Sequence, residues 1–385
     1  MKKVYYALTV LLTSFILTPE LALAKSDNLE DSNPSVNSEG EFTTQISISK
    51  DELEQMRKYS KNDKVEIILN KENTRLRDFE NAFQRFNRLN ENNIYPNGFD
   101  YKNDTYDVDI SESEEAKEKN FKLVGIEITD KYITSDGKVL TNEDVEMAQK
   151  KGEVIELIDP EQEGLGENPT LDDLRNYEEK EKNKMMVTSS GRKYLKSPAQ
   201  AYKYVTSQLY VYEYVSGKNK RNYFEAKWNF KTSGPGKVDN SVTNSPAALL
   251  EKNDIAVLAW AYGPSSRNRS ITLRYYRGNS NKYLSGSSVK EHPSADAKSA
   301  AYIFSEVHKF NKQSYFLNRI TLTAESGSWT PSKFGEDGSV RAQYANGGKS
   351  TKVNGFSVSS TRSVSISWST VKNYAFTNVY TTVPR

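Results

Sequence analysis

The chain has 385 residues, 36% hydrophobic and 27% charged, with a net charge of only +2; that is enough for about two or three domains and a real core. It contains no cysteine. A disulfide scaffold, a thiolate zinc site, a cysteine nucleophile and a cysteine-linked lipid anchor are therefore excluded.

Lys2 and Lys3 precede a 14-residue apolar run, Val4 to Leu17, and Ala22-Leu23-Ala24 forms an A-x-A cleavage site before Lys25. Residues 1–24 are read as a signal peptide cut between Ala24 and Lys25, because a membrane span needs about 20 apolar residues. The mature chain is expected to be secreted or extracellular, and cell-wall associated where a wall polymer holds it. A cysteine-free secreted chain rich in Lys, Asn and Ser fits a Gram-positive bacterium.

The small net charge hides two opposed halves. Lys25 to Met185 carries 23 Lys+Arg against 39 Asp+Glu, net −16; Met186 to Arg385 carries 28 against 11, net +17. Residues 25–41 are acidic with almost nothing to bury and are expected to be disordered. A small α+β domain is expected over 42–158. Ile46 and Ile48 alternate in a short strand, and Ser49 with Glu52 reads as a capping box opening a helix. VEIIL, 65–69, predicts a second strand. Leu76, Phe79, Phe83, Phe86 and Leu89 recur at spacings of three and four and predict a helix over 72–91. FKLVGIEI predicts a strand, Asp136-Gly137 a tight turn, and Thr141 the cap of a helix stopped by Gly152, before the strand EVIELI. Residues 159–185 are read as a charged linker and helix opened by Thr170, with too few apolar residues to pack on much.

Residues 186–385 predict a basic, Tyr-rich, mainly antiparallel β domain, sandwich-like in its strand spacing. All four Trp and 16 of the 24 Tyr lie there. Residues 204–215 place Val205, Leu209, Val211 and Val215 on one face and Tyr204, Tyr210, Tyr212 and Tyr214 on the other. Phe224, Ala226, Trp228 and Phe230 then face inward across a hairpin. IAVLAWAY, 255–262, suits a central strand. Further strands follow at 270–277, 314–324, 339–344, in STKVNGFSVSS, in SVSISWS and in YAFTNVYTT. Residues 297–310 favour a helix by the spacing of Ile303, Phe304, Val307 and Phe310. In SVSISWS, Val364, Ile366 and Trp368 are read as core and the serines as the wet face.

Chemistry-bearing motifs are sparse. His292 and His308 are the two histidines, and neither lies in a zinc-binding spacing. There is no nucleophile elbow, Walker A or dinucleotide glycine motif, and neither Asp107-Val108-Asp109 nor Glu336-Asp337-Gly338 completes a calcium loop. No catalytic residue, cofactor or metal is assigned, and the chain is read as a non-enzyme. A wall hydrolase is the remaining enzyme reading.

The usable signal is cationic and aromatic. Lys218, Lys220 and Arg221 mark a hairpin tip; Arg267, Arg269, Arg274 and Arg277 surround SITLRYYR; Tyr210, Tyr212 and Tyr214 are expected exposed among them. Cations among rings suit an anionic cell-wall polymer, lipid head groups or a glycan. The acidic half is expected to pair with the basic half, as a modulator or as a pro-region released near Arg192-Lys193. A secreted β-pore-forming toxin is the alternative, from the two alternating pieces in FSVSSTRSVSISWS.

Overall fold

The computed structural model describes residues 42–59, 64–69, 74–77, 83–84, 99–101, 104–161, 163–165, 169–188, 199–230, 254–261, 266–292, 295, 298–330, 338–345, 353–358, 364–368 and 375–382. The signal peptide, with Ala24 and Lys25, the segment 25–41, and Arg192-Lys193 lie outside them.

In chain order the elements begin with β1 (Thr43–Ile48), α1 (Lys50–Tyr59), β2 (Lys64–Leu69), β3 (Thr74–Arg77), β4 (Phe83–Gln84), β5 (Phe99–Tyr101) and β6 (Asp104–Asp109). Next come α2 (Glu114–Glu118), β7 (Lys122–Ile133), α3 (Asn142–Lys150), β8 (Ile155–Ile158) and α4 (Leu171–Thr188). The basic half adds β9 (Ala199–Ser216), β10 (Asn219–Phe230), β11 (Asp254–Trp260), β12 (Ser266–Arg277), β13 (Ser280–Ser285), β14 (Lys290–Glu291) and β15 (Ser299–Phe304). It closes with β16 (Val307–Phe310), β17 (Gln313–Ser326), β18 (Gly338–Ala345), β19 (Val353–Val358), β20 (Val364–Trp368) and β21 (Ala375–Thr382).

The described residues are mostly antiparallel β sheet. The largest sheet has ten strands, with the central order β1-β7-β9-β10-β17-β12-β13. A second has five, ordered β14-β15-β11-β18-β21. The large sheet runs across the boundaries expected at 158 and 186, because β7 pairs along β9 from Lys122↔Glu213 to Ile133↔Tyr202.

Side-chain alternation explains how the layers meet. Phe224, Ala226, Trp228 and Phe230 all point to one face of β10, as their spacing of two requires, and all are buried. They meet the second sheet: the Phe224 and Trp260 ring centroids are 5.3 Å apart, and Phe230 lies 5.5 Å from Tyr344. One apolar cluster draws on both sheets, including Leu209, Val211, Leu258, Trp260, Leu322 and Tyr344. β11 is buried at every residue, as an apolar strand without alternation should be.

The opposite face of the large sheet is covered at its β7–β9 end. Leu53 and Met56 of α1 and Ala116 of α2 pack with Ile126, Ile128, Tyr210, Tyr212 and Tyr223. α4 is more than a solvated spacer. Leu171, Leu174 and Tyr177 recur every third residue on one helix face; Leu174 is buried in the large core and the other two pack against it.

Local chemistry sets the helix starts. Ser49 Oγ donates to Glu52 Oε2 at 2.6 Å, and the Ser49 amide reaches the same oxygen at 2.8 Å. Thr141 with Asp144, and Thr170 with Asp173, repeat these contacts and add the return bond, the aspartate amide donating to the threonine hydroxyl. Gly137 supplies the left-handed residue of the turn before Lys138, at φ 86°. Thr170→Ala is expected to cost about 1 kcal/mol, read as a lower urea midpoint. Hydrogen bonds from Thr170 hold the Asp173 carboxyl below its ordinary range. That contribution is therefore present above the unfolded carboxylate pKa, about 3.9, and is lost as pH falls through the lower folded value. The variant should show a correspondingly flatter acid limb.

Two segments depart from the sequence expectation. Where a helix is expected over 72–91, the described residues form β3 and β4. β3 pairs with β2, Ile67 opposite Leu76. Leu76 and Phe83 fall on two separate short strands, so the run builds no single helix face, and pairing with VEIIL decides. Where a helix is expected over 297–310, the described residues form β15 and β16. β15 is hydrogen-bonded to β11, Val257 opposite Ala301, inside the second sheet. β19 and β20 form a two-stranded sheet with Phe356 opposite Ile366 and Val358 opposite Val364. The side-chain burial of Val364, Ile366 and Trp368 lies outside the described residues. Among the described residues no helix is long and apolar enough to cross a membrane.

Candidate functional site

Among the described residues, the anticipated cationic and aromatic side chains are spread over several surroundings. Tyr210 and Tyr212 are 4% and 2% exposed. They were expected in solvent; instead α1 and α2 lie over them. Burial raises the Tyr212 hydroxyl pKa far above its usual value, with Glu225 nearby adding to it. Tyr204 faces the large core, because a bulge in the β7–β9 pairing shifts the alternation at that point. Tyr214 is partly buried against Phe121. Lys218 is exposed in the two-residue turn between β9 and β10.

Carboxylates of the chain itself take several of the cations. Lys220 Nζ lies 2.9 Å from Glu213. Arg221 pairs with Glu325, which also accepts from Lys119 at 3.4 Å and from Asn268 at 2.9 Å. The Arg221 guanidinium sits 5.4 Å from the Phe121 ring centroid and 5.9 Å from that of Tyr214. Arg269 pairs with Glu291 at 2.8 Å and donates to the Ser299 carbonyl at 3.0 Å. Arg267 belongs to β12, and its side chain lies outside the described residues. Arg277 is exposed at the end of that strand.

The face that α1 and α2 leave uncovered lies over β12, β13 and β17. Ser270 stands opposite Thr323, and Thr272 opposite Thr321, a run of short hydroxyls. Beyond them Arg274 stands directly opposite Arg319. Like charges directly across a strand pair are destabilising. Each of these arginines donates through Nε to an asparagine amide oxygen: Arg319 to Asn229 at 2.6 Å and Arg274 to Asn281 at 3.1 Å. On its other side Arg274 is opposite Tyr283, which is 60% exposed. Tyr276 and Phe316, the next cross-strand pair, have ring centroids 6.2 Å apart. Two guanidinium groups beside aromatic rings are the chemistry by which a protein surface can accept an anion. Sequence reasoning named Arg274 but missed Arg319, Tyr276, Tyr283 and Phe316. A register placing two arginines opposite one another was the signal, and register is a tertiary fact.

The two histidines serve packing. His308 meets Phe310 edge-on at 4.6 Å. His292 is buried, and burial, helped by the charge of Lys290, holds its imidazole pKa below the usual value.

A second polar cluster is interior. Lys203 Nζ lies 3.3 Å from Asp130 Oδ2 and 3.0 Å from Asp159 Oδ2. Thr206 Oγ1 donates to Asp130 Oδ1 at 2.6 Å. The sequence signal was a charge placed inside two apolar runs, GIEITDKYI and AYKYV.

No protein-family model matches the chain, and no curated protein matches it in sequence.

Proposed function

We propose that this is a secreted, non-enzymatic extracellular protein whose basic β region binds an anionic surface. The ligand is a polymer or membrane presenting phosphate or carboxylate groups: a cell-wall polymer, lipid head groups or an acidic glycan. The observation that carries this reading is the cross-strand pair Arg274–Arg319, beside Tyr276 and Tyr283, on the sheet face that α1 and α2 do not cover. A local rule broken at a surface position points to function there. We read the two packed sheets as a sandwich-like framework that holds this face rigid. The acidic half acts as a built-in part of that framework. Ion pairs from Lys203 to Asp130 and Asp159 join the two halves, which favours a modulator over a detachable pro-region.

The full chain is expected to sediment with isolated cell walls, or with anionic but not neutral liposomes, in low salt and to be released by high salt. The double reversal Arg274→Glu with Arg319→Glu is expected to weaken binding by more than about tenfold. Retention on one of walls, liposomes or glycan beads identifies the polymer. No retention on any of them in low salt overturns the reading.

A second reading, a secreted β-pore-forming toxin, draws on the β19–β20 hairpin. It forms a sheet of its own, and its register puts Phe356, Ile366, Val358 and Val364 in alternation with Ser357 and Ser365. Its strands have six and five residues, against about 9–11 for a spanning strand, so entry would need their extension through the flanking segments. Dose-dependent dye release from liposomes is the expected sign; its absence at every dose removes the toxin reading.

A further inference from the structure

Lys203 stands between two carboxylates at a depth where solvent has little access: its side chain is 2% exposed, that of Asp130 1% and that of Asp159 9%. The three arrive from separate elements. Asp130 lies near the end of β7, Lys203 is on the adjacent β9, and Asp159 directly follows β8, which runs parallel to β9 with Ile158 opposite Tyr202. The bulge between Lys131 and Tyr132 in the β7–β9 register makes Tyr204 the extra residue. Asp130 is opposite Thr206, whose hydroxyl holds its Oδ1.

As a plain ion cluster this arrangement is costly. Two anions and one cation are removed from water, and their attraction repays that poorly. As a reaction site it is well built. An amine nitrogen faces a carboxyl group, a second carboxylate touches the same nitrogen, and a hydroxyl donor holds the oxygen on which charge would develop. We propose that Lys203 and Asp130 become joined by an intramolecular amide bond, with Asp159 as the proton carrier.

The step balances without any co-reactant. Asp159 takes a proton from the Lys203 ammonium and passes it to Asp130 Oδ2, leaving a neutral amine beside a neutral carboxyl group. Nζ attacks the Asp130 carboxyl carbon. Charge develops on Oδ1, where the Thr206 hydroxyl stabilises it. Asp159 removes a second proton from nitrogen and delivers it to Oδ2, which leaves as water. The new C–N bond replaces one C–O bond, nothing is oxidised or reduced, and Asp159 ends as it began. Fixed contact between the groups replaces a bimolecular encounter, and burial favours a product that has lost two charges. Buried lysines give up their proton readily, as other lysine nucleophiles do.

The bond would tie the acidic half to the basic half across neighbouring strands, in a chain with no cysteine for a disulfide.

The test is the intact mass of the full chain, once its N-terminal residue has been set by sequencing. The expected mass falls short of the sequence mass by one water, also in denaturant. Trypsin is expected to leave the bond after Lys203 uncut and to release a branched peptide joining the Asp130 and Lys203 segments. Lys203→Arg and Asp159→Asn are each expected to restore the full mass. Asp130→Asn is expected to keep the cross-link but to lose ammonia in place of water. A wild-type chain at its full sequence mass overturns the proposal without recourse to any variant. A branched peptide joining Lys203 to Asp159, or a deficit that survives Lys203→Arg, overturns it as well.

Discussion

Trp260→Ala is expected to lower the stability of the folded chain by about 3–5 kcal/mol, seen as a lower urea midpoint with an unchanged slope. Trp260 is fully buried at the end of β11 and meets Phe224 of β10 across the two sheets. Neighbours fixed by two hydrogen-bonded ladders cannot collapse into the space the indole leaves, so the cavity cost adds to the lost burial. Trp260→Phe separates packing from polarity. Among the described residues the indole Nε1 has no hydrogen-bond partner. Phenylalanine keeps most of the apolar volume and removes that N–H, so its cost is expected to stay below about 2 kcal/mol. Equal losses in the two variants would show that the ring does not join the sheets.

Lys203→Met is the second large effect. It leaves Asp130 and Asp159 buried without the nitrogen they both contact, and it removes the proposed cross-link as well. Removing one member of a buried ionic group costs about 3–5 kcal/mol, because the remaining charge is left uncompensated. The expected loss is therefore far greater than for exposed pairs such as Lys150–Glu146, which contribute about 0–1 kcal/mol. The combination Lys203→Met, Asp130→Leu, Asp159→Leu is expected to recover the part of the loss that comes from uncompensated charge, since nothing charged then remains to desolvate, but not the part that comes from the missing cross-link. Thermal unfolding of the single and triple variants reads this directly. A single variant as stable as the parent would mean that water reaches the cluster.

Both predictions rest on features of different legibility. The inward run Phe224, Ala226, Trp228, Phe230 is visible in sequence, because alternation within one strand is a local property. So are the caps at Ser49, Thr141 and Thr170, each of which needs only a partner three residues away. The turn at Asp136-Gly137 is equally local. The candidate face was half legible. Arg274 stood out, but its opposition to Arg319 depends on the β12–β17 register, and the partners of Lys220, Arg221 and Arg269 depend on which strands meet.

The sequence by itself determined the charge split, the absence of thiol chemistry, the starts of α1, α3 and α4, and the β-rich character of residues 186–385. Each depends on composition or on contacts a few residues long. Tertiary structure decided the rest. Residues 74–77 and 83–84, and 299–304 and 307–310, lie in runs whose spacing looks helical, and cross-strand hydrogen bonding selected the strand: β3 to β2 and β4, β15 to β11, and β16 to β17. Tyr210 and Tyr212 lie on the strand face that alternation assigns them, yet only the arrival of α1 and α2 removed that face from water. Lys203, Asp130 and Asp159 lie far apart along the chain, and form a buried cluster because β7, β8 and β9 bring distant segments side by side.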